Sequence, residues 1–168
     1  MIVRPQDFAG LLRALLKGSV EFIVVGGVAA AVHGAARSTY DIDIVYARSR
    51  ENIDRLVAAL SPLRPYLRGA PPGLPFVFDR DTVERGLNFT LETSLGDLDV
   101  LGEIVGGGTY ESLLSKSATI EVFGMACRVV ALDALIRLKR AAGRPKDFEA
   151  IAELEALIEE RDTRRNVE

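Results

Sequence analysis

Three features of the sequence predict an α+β fold, with a short mixed β-sheet flanked by helices and a C-terminal helical pair. A β-branched run, "FIVV", leads straight into Gly26, Gly27 and an alanine-rich stretch. Two segments, "YDIDIVYA" and "DLDVLGEI", alternate polar and apolar residues as half-buried strands do. The last part of the chain carries two successive helical patterns. A length of 168 residues suits one domain, 1–168, with a core at about 20–131 and C-terminal helices at about 132–161.

Along the chain, residues 5–19 place Phe8, Leu11, Leu12, Leu15 and Leu16 on one helical face, with Gly18 as a stop. Residues 21–26 read as a buried strand, and 27–35 as a small-residue helix packed closely on it. Residues 40–47 form a second strand. Ser49 caps a helix over 49–63 that carries Ile53, Leu56, Val57 and Leu60 on one side. Residues 64–76, "RPYLRGAPPGLPF", hold four prolines and two glycines and read as a long loop within the domain. Residues 87–94 and 97–104 are strands of a tight hairpin turning at Leu95 and Gly96. A short helix at 109–117 and a second hairpin at 119–131, turning near Gly124, come next. Helices at 132–143 and 144–161 follow, the latter with Pro145 in its first turn; the final residues, "DTRRNVE", read as frayed.

Apolar residues make up 48% of the chain, enough for a core, and the net charge of −3 argues against nucleic-acid binding by bulk charge. Cys127 is the one cysteine, so no internal disulfide forms; in an apolar run it reads as a buried, inert thiol. No apolar run approaches the ~18–20 residues of a membrane span, and "MIVRPQDFAG" lacks a signal-peptide core. The expected location is cytoplasmic, with no membrane partner.

The chemistry lies in the aspartates. On a strand, residues i and i+2 share a face about 6.5–7 Å apart. Asp41 and Asp43 therefore point together while Ile42 and Ile44 face the core, and Asp97 and Asp99 repeat the pattern against Leu98 and Val100. On adjoining strands, three or four carboxylates would converge. An all-oxygen cluster suits Mg²⁺, and two such ions can align an attacking and a leaving oxygen in phosphoryl transfer. Solvated faces of antiparallel strands are the bland alternative. Gly26 and Gly27, where a strand meets a helix, can bring bare backbone N–H groups to an anion. They fit neither a Walker A motif nor GxGxxG, and alone mark only a turn; the Asp-x-Asp about fourteen residues later gives them weight.

At these residues the chain resembles the polymerase-beta-type nucleotidyltransferase superfamily, whose pattern is Gly-Gly or Gly-Ser, a helix, Asp-x-Asp, and a third carboxylate on a later strand. More narrowly, "GGVAAAVHGAARSTYDIDI", "TSLGDLDVL" and "LIRLKRAAGRPKDFEAIAEL" resemble small bacterial nucleotidyltransferases of the AbiEii toxin type. The resemblance covers roughly half the chain. It implies that Gly26 and Gly27 hold the triphosphate, that Asp41 and Asp43 ligate metal, and that Asp99 is the third carboxylate and the base for the incoming hydroxyl. Asp99 is preferred to Asp97 because it lies deeper in its strand, before the Val-Leu pair the pattern expects; Asp97, beside the turn, is expected to be solvated. Lys139 and the Lys146-Asp147 pair resemble a C-terminal basic motif that meets the phosphates. The chain departs from the pattern in lacking a hydroxyl at the second glycine and in carrying Ala150 where another acid is common.

The resemblance further implies two Mg²⁺ ions and an NTP substrate. The implied activity is transfer of a nucleoside monophosphate to an acceptor hydroxyl on RNA, such as tRNA, or on a protein, with a possible antitoxin as partner. A non-catalytic module that binds a nucleotide or a partner is the alternative, and the intact triad separates the two. A small-molecule modifier is the third option, set against the expectation of a larger acceptor domain. Among other residues, Arg37 is a candidate for neutralising phosphate and Ser38 for touching the nucleotide, although Ser38 and Thr39 also suit a turn. His33, the only histidine, reads as structural. Residues 106–108, "GGG", read as a flexible connection. Tyr40 and Tyr46 read as core packing, with base stacking as the alternative.

Overall fold

The computed structural model describes residues 6–36 and 38–168. The elements in order are α1 (Phe8–Lys17), β1 (Phe22–Val25), α2 (Gly26–Val32), β2 (Asp41–Tyr46), α3 (Arg50–Leu60), β3 (Tyr66–Leu67), α4 (Arg80–Arg85), β4 (Asn88–Thr93), β5 (Gly96–Leu101), α5 (Tyr110–Leu114), β6 (Ser117–Val122), β7 (Met125–Val130), α6 (Leu132–Ala142) and α7 (Pro145–Val167). The strands form one mixed sheet in the order β3-β4-β5-β2-β1-β7-β6. Strand β2 runs antiparallel to β1 and parallel to β5, and β1 runs parallel to β7.

Register gives each sheet face its character. Val24 lies opposite Ile44, Ile44 opposite Val100, and Ile42 opposite Leu98, which faces Leu91. All six are buried, each removing apolar surface worth roughly 1.5–3 kcal/mol. Because successive side chains alternate, the same strands turn Asp41, Asp43, Asp97 and Asp99 to the other face. One buried polar group ties the edges of this core together. Asn52 on α3 donates from Nδ2 to the carbonyls of Glu21 and Ala47 and accepts from the Glu21 N–H, so its amide is satisfied although no part of it is exposed.

Several expectations are corrected. The Pro/Gly-rich loop contains β3: Tyr66 and Leu67 pair with Glu92 and Leu91, the Tyr66 hydroxyl donates to the Pro71 carbonyl at 2.5 Å, and its ring meets Phe76 edge-on. A two-residue strand offers too few alternations to be read from sequence. Helix α4 has no expected counterpart; Asp79 caps it by accepting from the Thr82 N–H, and Arg80 forks onto Asp54 of α3. Helix α7 continues through the tail read as frayed, where an Arg164–Glu160 pair at i,i+4 supports it. Residues 106–108 are not a loose connector, since a Cβ on Gly106 or Gly107 would lie 2.1 Å from Ala141 or 2.0 Å from Leu138 of α6. Tyr46 is core, with its hydroxyl on the Leu87 carbonyl, whereas Tyr40 is 81% exposed. Cys127 is buried and free. Among the described residues no helix is long and apolar enough to cross a membrane.

Candidate active site

Strands β2 and β5 are parallel neighbours, with Asp41 opposite Asp97 and Asp43 opposite Asp99. One carboxylate oxygen each from Asp41, Asp43 and Asp99 lies within 4.8 Å of the others. These three line a cavity of about 580 Å³, together with Gly26, Gly27, Ser38, Lys139, Arg144 and Lys146. The structure therefore brings together every expected site residue except Arg37, which lies outside the described residues.

The turn after β1 explains how Asp43 fits. Gly26 has φ +65°, and a Cβ there would lie 1.9 Å from Asp43 Oδ2, so only glycine lets the backbone pass this close. A Cβ on Gly27 would meet Thr39 Oγ1 at 2.6 Å. The glycine pair thus admits Asp43 and Thr39. Thr39 donates to the Asp41 carbonyl at 2.9 Å, closing the turn before β2. Ser38 is exposed at the cavity wall.

Burial, and then crowding of like charge, is legible in the acidities. Burial, followed by the charge of Asp41 and the hydrogen bond and charge of Asp99, pushes the Asp43 carboxyl up to about 8. Asp41 is also raised, first by burial and then by Asp99, with Arg68 opposing. The donor set fits a hard divalent cation: all its atoms are oxygens, they converge, and their own repulsion holds protons that a cation would replace. Asp41, Asp43 and Asp99 are the residues that would hold it.

Sequence reasoning missed Arg68. It follows β3 directly, and its N–H bonds the Thr90 carbonyl. Since Leu67 faces the apolar side with Leu91, alternation sends Arg68 to the acidic face. Its Nη2 donates to Asp99 Oδ1 at 2.8 Å, Nη1 reaches Asp41 Oδ2 at 3.4 Å, and Nε lies 3.3 Å from Asp97 Oδ2. Asp97 is accordingly not a solvated turn residue; its side chain is 23% exposed and ion-paired. No local pattern points to Arg68, because its position depends on β4 lying between β3 and β5.

The cationic wall also differs from the sequence reading. Asp147 is buried to 1% exposure. It accepts from Arg144 Nε at 2.7 Å, Nη2 at 3.2 Å and the backbone N–H at 3.1 Å, and lies 3.9 Å from Lys139 Nζ. Burial acts to raise its carboxyl, but the Arg144 hydrogen bonds and the two cations hold it below the usual range. Burial lowers Lys139, with Asp147 opposing. Arg144, unnoticed in the sequence, joins Lys139 and the exposed Lys146 at the cavity. His33 is structural: its Nε2 bonds the Val130 carbonyl at 2.8 Å and Nδ1 accepts from Arg161 on α7. Burial and the Arg161 charge keep it below its ordinary pKa.

No family model matches the chain, and no curated protein matches it. Solved structures do. The lincosamide antibiotic adenylyltransferase LnuA, lincomycin-bound, matches with a TM-score of 0.59 at 14% identity, over 91% of this chain and 99% of that one. ANT(2")-Ia in complex with adenylyl-2"-tobramycin matches with a TM-score of 0.53 at 16% identity, over 94% and 95%. An antigenic nucleotidyltransferase-like protein from Paracoccidioides brasiliensis matches with a TM-score of 0.55 at 16% identity, over 92% and 78%. The chain has the nucleotidyltransferase fold.

Proposed function

We propose that the chain is a Mg²⁺-dependent nucleotidyltransferase that moves a nucleoside monophosphate from an NTP to an acceptor hydroxyl. The observation that carries this reading is the convergence of Asp41, Asp43 and Asp99 in a cavity that also holds Lys139, Arg144 and Lys146. Asp41 and Asp43 are the metal ligands and Asp99 the shared third. One or two bound ions would neutralise charge on the phosphates and sharpen the nucleophile. Asp99 takes the proton of the acceptor hydroxyl. The hydroxyl oxygen then bonds to the α-phosphorus, the bond from that phosphorus to the bridging oxygen breaks, and pyrophosphate leaves with the electron pair. Lys139, Arg144 and Lys146 receive the triphosphate charge, with Ser38 and Arg37 as further contacts. Gly26 and Gly27 admit Asp43 and offer backbone N–H groups to the triphosphate. Most of the rate would come from alignment and preorganised charge.

For the acceptor, the sequence resemblance to AbiEii-type proteins supports RNA, such as tRNA, or a protein, and a toxin role with an antitoxin partner. A second reading, a small-molecule hydroxyl, is favoured by LnuA and ANT(2")-Ia, matched over 99% and 95% of their lengths. Three intact aspartates speak against a binding-only module. The test supplies each labelled NTP with Mg²⁺ and, in separate arms, total RNA, lysate protein, and lincosamide and aminoglycoside antibiotics, beside an Asp43→Ala control. Label enters one acceptor class and is lost in the control. Equal labelling by Asp43→Ala, or none in any arm, overturns the reading.

A further inference from the structure

We propose that Arg68 is a built-in counter-ion of the carboxylate cluster that competes with the divalent cation for Asp41 and Asp99 and so sets metal affinity. The inference rests on the metal reading above and deepens it.

The geometry points this way for three reasons. The first is register: β3 delivers Arg68 to the acidic face from two strands away, across β4, so one guanidinium spans both Asp-x-Asp strands. The second is the identity of the acids, since Nη2 and Nη1 engage Asp99 and Asp41, two of the three residues that each offer an oxygen to the cluster. A guanidinium held on these two acids places a positive charge beside the point where their oxygens converge, and a divalent cation entering there is repelled by it. The third is the state of the fork itself. Nη2 also bonds the Leu91 carbonyl at 2.9 Å, while the buried Nε lies 3.3 Å from Asp97 Oδ2 without hydrogen-bond geometry. A guanidinium paired bidentately with one carboxylate satisfies two donors in a fixed geometry. This one is spread over three acids and leaves a buried donor unmade, an arrangement suited to release.

Sign separates this role from a structural one. If Arg68 merely pinned the aspartates in place, removing it would splay them and weaken metal binding; if it competes, removing it strengthens binding. The test titrates Mn²⁺ into wild type, Arg68→Met and Arg68→Lys without nucleotide, at fixed pH and ionic strength, by calorimetry and by the Mn²⁺ resonance signal. Arg68→Met is expected to bind about tenfold tighter or more, with Arg68→Lys in between because a point charge cannot span the cluster. Equal or weaker binding by Arg68→Met overturns the role while leaving the metal reading standing. No binding by any of the three overturns both. Should Arg68→Met fail to fold, as judged by circular dichroism, the wild type decides. Its Arg68 Nε–H nuclear resonance is expected to shift and exchange faster with solvent as Mg²⁺ is added, and a signal unchanged at saturation overturns the proposal.

Discussion

The two Asp-x-Asp strands carry the same pattern, lie side by side and run parallel in register, yet their four carboxylates have different fates. Asp43 sits against the Gly26 turn and is raised to about 8 by burial and its acidic neighbours. Asp97, at the hairpin end of β5 and opposite Asp41, does not join the convergent trio and is ion-paired to Arg68. Asp41 and Asp99 belong to both groups, converging with Asp43 while touching Arg68. The spacing decides which face a carboxylate takes. What lies across the sheet decides its charge and its partner.

The comparison breaks most readily under substitution. Asp43→Asn or Asp99→Asn is expected to cost about 10²–10⁴-fold in nucleotide transfer by loss of a ligand or base, whereas Asp97→Asn stays within about tenfold because it removes only an ion-pair partner of Arg68. Steady-state rates of the three variants with one NTP measure this, and an Asp97→Asn loss as large as that of Asp43→Asn would erase the distinction. Next in size is Asp147→Asn, which loosens Arg144 and Lys139. It is expected to raise KM for NTP about 10–100-fold, more than it lowers kcat; a pure kcat effect would remove the cationic wall from binding. Gly26→Ala tests why Asp43 differs from Asp97. The added Cβ collides with Asp43 at a positive φ, so a loss of about 1–3 kcal/mol in urea unfolding is expected.

The smallest effect concerns His33, remote from the acids. Its folded pKa lies below the ordinary 6.5. Its contribution to stability is therefore full above pH 6.5 and is lost as pH falls through the lowered folded value, because the unfolded chain takes up the proton first. Urea midpoints of wild type should decline over this window more steeply than those of His33→Gln; parallel curves would show that burial and the Arg161 charge do not constrain its protonation.

Much of this was legible in the sequence, unevenly. The alternation in "YDIDIVYA" and "GDLDVL" sufficed to put Ile42, Ile44, Leu98 and Val100 on one face and the aspartates on the other, because a strand's period of two is a property of the backbone. The pattern of the C-terminal helices was readable for the same reason, although local periodicity gave the extent of α7 poorly. Asp147 was noticed but its role was not, because nothing local says that a first-turn acid is buried beneath Arg144 and Lys139.

Taken alone, the sequence determined the fold class, the faces of the strands and the four aspartates that share one face, while the choice of Asp99 over Asp97 followed from the family resemblance. These are set by dihedral geometry and by burial of apolar residues within a few positions of each other. Only the tertiary structure decided that β5 lies beside β2 in register, that a two-residue strand carries Arg68 onto the carboxylates, and that Asp147 gathers Arg144 and Lys139. Each of those depends on strand order and helix docking, whose free energy comes from contacts between distant residues and leaves no local trace in the chain.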